Sequence, residues 1–86
     1  MTLTWGSIAN PAAHDWIGVY QAGAGDRAWS DYVYETCTRT PPAAGTSAGS
    51  CTYQLPSSLP LGTYEFRLFA NNGWTKLAAS GTLSLG

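Results

Sequence analysis

GTYEFRLFANNGWTKLAA, residues 62–79, holds the pattern that decides the fold. Tyr64, Phe66 and Leu68 recur at every second position, and the period of two places them on one face of a strand with Glu65, Arg67 and Phe69 on the other. "ANNG" then closes a turn of the kind that joins antiparallel strands. A second strand follows, with Leu77 and Ala79 read as inward and Trp74, Lys76 and Ala78 as outward. The same alternation occurs at 2–5 (TLTW), 15–21 (DWIGVYQ), 31–37 (DYVYETC), 51–55 (CTYQL) and 81–85 (GTLSL), separated by Gly, Pro and Asn clusters, and no segment sustains a period of 3.6. About seven or eight short strands predict an all-β antiparallel β-sandwich of immunoglobulin or fibronectin III type.

Eighty-six residues make one domain, 1–86, with a small core: a chain of this size buries about 60 to 65 % of the surface it exposes when unfolded. Only 10 % of the residues are charged, against about 25 % on average, and the formal net charge is -1. Arg27, Arg39, Arg67 and Lys76 are scattered, so a nucleic-acid partner is not expected. No apolar run reaches the roughly 20 residues that span a bilayer, so no membrane partner is expected either. The opening "MTLTWGS" lacks the basic and apolar regions of a signal peptide, which reads as a monomeric module excised from a larger secreted protein. Cys37 and Cys51 flank a polar Gly/Pro/Ser loop, and a bond between them would stabilise the fold by about 3 kcal/mol and imply an oxidising, extracellular setting.

The residues for catalysis are unpromising. A glycoside hydrolase needs two carboxyl groups flanking a cleft, one with a raised pKa, whereas Asp15, Asp26, Asp31, Glu35 and Glu65 all fall in polar or strand-exposed contexts. His14 is the single histidine, and no G-x-S-x-G elbow accompanies it. The chain therefore reads as non-catalytic and without a cofactor. The one metal alternative is a Ca²⁺ site formed by Asp26, Asp31 and backbone carbonyls, in a loop without EF-hand spacing.

The aromatic residues divide by strand parity. Trp5, Tyr53 and Tyr64 read as core, with Ile17, Val19 and Val33. Trp16 lies on the outward side of its strand and reads as structural, covered by the Arg67 guanidinium. Trp29 and Trp74 follow Gly-containing loops at strand entrances, beyond the reach of a sandwich core. Together with the outward Tyr32 and Tyr34, and Tyr20 as a marginal member, they predict an exposed aromatic platform. The faces of a β-linked glucose ring are planes of axial C–H groups bordered by hydroxyls. An indole or phenol laid on such a face removes apolar area from water at about 25 cal/mol per Å². Asn71, Asn72 and Arg67, with Glu65 and Lys76, would orient the hydroxyls.

"NPAAHDWIGVY", "YVYETC" and "GTYEFRLFANNGWTKLAAS" together resemble a β-sandwich module of secreted bacterial proteins, found more distantly beside metallophosphatase domains. With its loop disulfide and additional tryptophans, the whole chain more closely resembles carbohydrate-binding module family 81. That resemblance implies a partner among cellulose, cello-oligosaccharides, mixed β-glucan and xyloglucan, and a parent glycoside hydrolase carried on the same chain. Asp15, Trp16, Gly18 and Arg67 fall in the pattern shared with modules that do not bind sugar, which implies a role in the fold. The alternative is an immunoglobulin-like interaction or spacer module whose aromatics pack on a neighbouring domain.

Overall fold

The computed structural model describes residues 2–85, and among them the secondary structure is entirely β. Strand β1 (Thr2–Trp5) pairs antiparallel with β4 (Gly49–Thr52) in a two-stranded sheet. The larger sheet runs β3 (Asp31–Tyr34), β2 (Trp16–Gln21), β5 (Gly62–Phe69), β6 (Lys76–Ala79), again antiparallel. These two paths take six strands, fewer than expected. Off the path, the three-residue β7 (Leu83–Leu85) pairs with the beginning of β5 while β6 pairs with its end. The expected strand 51–55 starts two residues earlier and ends at Thr52, and Tyr53 enters the core just beyond it. Cys37 and Cys51 are bonded, tying the segment after β3 to β4 and so joining one sheet to the other.

Period-two alternation correctly separates the inner face. Ile17 and Val19 of β2, Val33 of β3 and Tyr64, Phe66 and Leu68 of β5 are all buried in one cluster with Ile8 and Tyr53, closed by Leu3 and Trp5 of β1. The Tyr53 hydroxyl leaves this core at its rim and donates to Asp31 Oδ2 at 2.6 Å. In β6 the alternation fails, because the register with β5 slips between Leu68 and Phe69: Phe69 pairs with Lys76, but Leu68 pairs with Ala78 and Arg67 with Ala79. A bulge places an extra residue, Leu77, in the strand and inverts the facing of those after it. Leu77 packs against the core as expected, while Ala78 takes the inner side opposite Leu68 and Ala79 the outer side opposite Arg67, the reverse of the expected order.

The larger correction concerns the outer face of the long sheet, which is not uniformly wet. Trp16, Tyr20 and Phe69 form a second buried cluster there, with Tyr32, Tyr34 and Ala24 packed around it. Trp16 stacks on Phe69 with ring centroids 4.6 Å apart and 23° between planes. Both faces of the central β2–β5 pair are thus apolar, and five of the six residues of β2 are buried. Tyr20 was expected at the binding surface but is fully sealed: its hydroxyl donates to the Asp26 carbonyl and the Arg67 guanidinium lies 4.1 Å over its ring. Burial, with the negative charge of Asp26, pushes the phenol up to about 12 against the opposing pull of Arg67. Arg67 was expected to contact ligand and to cover Trp16; it is itself 6 % exposed, covers Tyr20, and is paired with Asp26 at 2.9 Å and Glu65 at 3.1 Å.

Gly18 makes this second layer possible. A Cβ there would strike the Tyr20 ring and approach Trp16 Cζ3 to 2.9 Å, because both rings lean over the bare backbone between them. Gly18→Ala should therefore lower stability by about 1–3 kcal/mol through overpacking, read as a fall in Tm with loss of near-ultraviolet tryptophan dichroism. An unchanged Tm would mean that the outer layer is not tightly packed.

Candidate functional site

The turn between β5 and β6 sets one wall of the site. Asn71 and Asn72 have φ of 46° and 60°, and the Gly73 N–H donates to the Ala70 carbonyl at 2.7 Å. This is a type I′ turn, which requires two consecutive left-handed residues, and asparagine tolerates that conformation better than most side chains. The turn is then fixed to the segment before β2. Asp15, 1 % exposed, accepts from the Ala12 N–H through Oδ2 at 3.0 Å and from the Asn71 N–H through Oδ1 at 2.9 Å. Nearby, the Asn72 N–H donates to the His14 carbonyl at 2.8 Å, and Trp16 Nε1 donates to the Gly73 carbonyl at 3.0 Å. Trp74, the next residue, therefore leaves the turn in a defined place.

Trp29 comes from the opposite side. The loop between β2 and β3 is closed by Ala24 N–H to Gln21 O at 3.0 Å, Ala28 N–H to Gly25 O at 2.9 Å and Ser30 N–H to Val19 O at 2.7 Å. These bonds bring Trp29 to the start of β3, where it meets Tyr32 with centroids 5.1 Å apart. Trp29 and Trp74 are 41 % and 39 % exposed, and they line one concave groove of about 310 Å³ with Tyr32, Tyr34, Asn72 and the edge of Trp16. Trp74 lies nearly perpendicular to the Trp16–Phe69 stack, 5.4 Å from the first ring and 5.8 Å from the second. The Tyr34 hydroxyl donates to Asn72 Oδ1 at 2.9 Å, joining β3 to the turn.

Four of the expected contact aromatics, Trp29, Tyr32, Tyr34 and Trp74, are thus together, and Asn72 joins them. Asn71 is exposed but lies outside the groove lining, and Tyr20 and Arg67 are withdrawn below the surface. The surface differs from a flat shelf. Tyr32 stands at 76° to Trp29 and 89° to Tyr34, so the rings form walls and a floor rather than one plane.

Sequence reasoning missed three contributors. Trp16, assigned to structure, also forms part of the groove. Arg39 lies with Cζ 3.9 Å from the Tyr32 centroid, and Arg27 with Cζ 4.7 Å from that of Trp74. Arg27 was legible in "DRAW", two positions before Trp29 and of the same parity, but which ring it covers depends on the fold. Arg39 is held in place: Nη2 donates to Asp31 Oδ1 at 2.8 Å and Nε to the Tyr32 carbonyl at 2.9 Å. Burial alone would raise the Asp31 carboxyl, but hydrogen bonds from Tyr53 and Arg39 outweigh it and hold the group below the ordinary carboxylate value. Asp26, the other acid considered for Ca²⁺, pairs with Arg67 and with Lys76 at 3.4 Å. Among the described residues no group of three or more His, Cys, Asp or Glu side chains is placed to share a metal ion.

A pocket of similar size, about 290 Å³, opens at the other edge of the sandwich between β1 and β6, lined by Leu3, Trp5, Phe66, Leu68 and Ala78 among others. Its lining mixes core residues such as Ile17, Phe66 and Leu68 with the polar residues Thr2, Thr4, Arg67 and Ser80, and it lacks the pair of exposed tryptophans that marks the groove. No protein-family model, curated protein or solved structure matches the chain. The disulfide is compatible with an extracellular location, and among the described residues no helix is long and apolar enough to cross a membrane.

Because the folded Asp31 value is depressed, its contribution to stability is present above the ordinary carboxylate value of about 4 and is lost as pH falls through the folded value. Asp31→Asn should destabilise the fold by about 1–3 kcal/mol at pH 7. The gap from wild type should close as pH falls through the depressed folded value, measured by urea denaturation across the acid range. A gap independent of pH would remove the ionised carboxylate from the account.

Proposed function

We propose that this groove binds a β-1,4-linked glucan chain and that the protein is a non-catalytic carbohydrate-binding module, as its resemblance to family 81 suggests. The observation that carries the reading is the convergence of Trp29 and Trp74, 45 residues apart in sequence, as half-exposed rings on one groove with Tyr32, Tyr34 and Asn72. Each indole offers apolar area to a pyranose face while its rigidity limits the ordering cost. Asn72 and the two phenol hydroxyls supply the donors and acceptors that read the ring substituents. Perpendicular walls suit a single chain entering between rings better than a flat crystalline face. Within this reading the carboxylates serve the scaffold: Asp15 holds the turn, Asp26 and Glu65 hold Arg67, and Asp31 holds Arg39 and Tyr53. An immunoglobulin-like sandwich attached to a secreted glycoside hydrolase is the setting that fits.

Trp29→Ala and Trp74→Ala should each weaken binding of cellopentaose about tenfold, the equivalent of ~1.4 kcal/mol for lost apolar contact. Both variants should remain folded, because neither ring belongs to a buried cluster. The measurement is isothermal titration or affinity electrophoresis in β-glucan gels, with circular dichroism as the folding control. Affinity for this neutral ligand should change little between low and high salt. Absence of retardation in the wild-type protein would instead favour an interface that packs on a neighbouring domain.

A further inference from the structure

Among the described residues one cationic side chain is left without an acidic partner, and it lies against Trp74, one of the rings that line the groove. All five acidic side chains of the chain lie among the described residues. Asp15 is occupied by two backbone N–H groups, Asp26 by Arg67 and Lys76, Asp31 by Arg39 and Tyr53, and Glu65 by Arg67 and the Gly23 N–H. Glu35 is buried away from the groove, accepting from the Thr46 N–H, and burial raises its pKa. Arg67, Arg39 and Lys76 are neutralised in these pairs. Arg27 is exposed, rests on Trp74 by a cation–π contact, and has no carboxylate or hydrogen-bond acceptor among the described residues. The contact with the ring steadies the side chain without using any of its five N–H donors.

We infer that Arg27 is a specificity residue for acidic sugar: the groove takes a β-linked chain bearing hexuronic acid units, whose carboxylate pairs with the Arg27 guanidinium. The inference rests on the sugar-binding reading and refines its substrate class. The carboxylate of a hexuronic acid projects equatorially from the pyranose. A ring seated against Trp74 would present it at the edge of that indole, on which Arg27 rests, and a planar guanidinium matches it with two parallel N–H···O bonds. Neutral glucan would make the aromatic contacts and leave Arg27 idle.

The test compares cellopentaose with a C6-oxidised β-1,4-glucuronan oligomer of the same length, titrated calorimetrically at about 20 mM and about 500 mM NaCl, where screening lengths differ several-fold. Wild type should bind the uronate about three- to tenfold more tightly at low salt, and the preference should shrink at high salt. Arg27→Gln should abolish the preference, and Arg27→Lys, which keeps the charge without the fork, should retain only the salt-sensitive part of it. Equal wild-type affinities, or a preference that survives in Arg27→Gln, would overturn the inference while leaving the sugar groove intact. Failure of wild type to bind either oligomer would overturn the groove assignment itself.

Discussion

The stack of Trp16 on Phe69 is the contact on which the outer half of this molecule depends. A sheet covered on one side only would leave β2 and β5 with one apolar and one wet face. Here the outer face carries its own buried layer, and the two central strands are held from both sides. That layer gives Trp74 a support, fixes Trp16 as part of the groove, and sets the distance from the turn to β3. Removing the stack would leave the exposed rings with nothing rigid beneath them.

Polar groups secure what the rings begin. The buried Asp15 carboxylate is satisfied by two backbone N–H donors, one from its own segment and one from the type I′ turn, so the desolvation of its charge is offset by hydrogen bonds of the stronger, charge-assisted kind. Arg67 plays the corresponding part at the other end of β2, where two carboxylates neutralise it and its guanidinium seals Tyr20. Neither residue reaches the surface. Their work is to hold the loop and the turn from which Trp29 and Trp74 project.

A small domain with so few charges places most of them in pairs, and of its four cationic side chains only Arg27 lies outside one among the described residues. Arg39 and Arg27 each lie on a ring of the groove, yet Arg39 is bound to Asp31 and Arg27 to no acid among the described residues. Composition, with its net charge near zero, conceals this local asymmetry of charge beside the groove rings.

Alternation of residue types by itself determined the all-β character and most strand residues of the inner core, because side-chain direction in a strand follows from covalent geometry; Ile8, a core residue outside any strand, carried no such signal. Their places after Gly-containing loops marked Trp29 and Trp74 as rings beyond the core. Tertiary structure decided what covers the other face. Nothing local distinguishes the sealed Tyr20 from the half-buried Tyr32: each lies under a guanidinium, and the difference is that Tyr20 sits on the central strand packed with Phe69, 49 residues away. The inversion of Ala78 and Ala79 likewise came from a bulge that only pairing with β5 reveals. Groove shape, ring angles and the isolation of Arg27 belong to the same class, because each is a relation between distant segments and is fixed when the sheets pack.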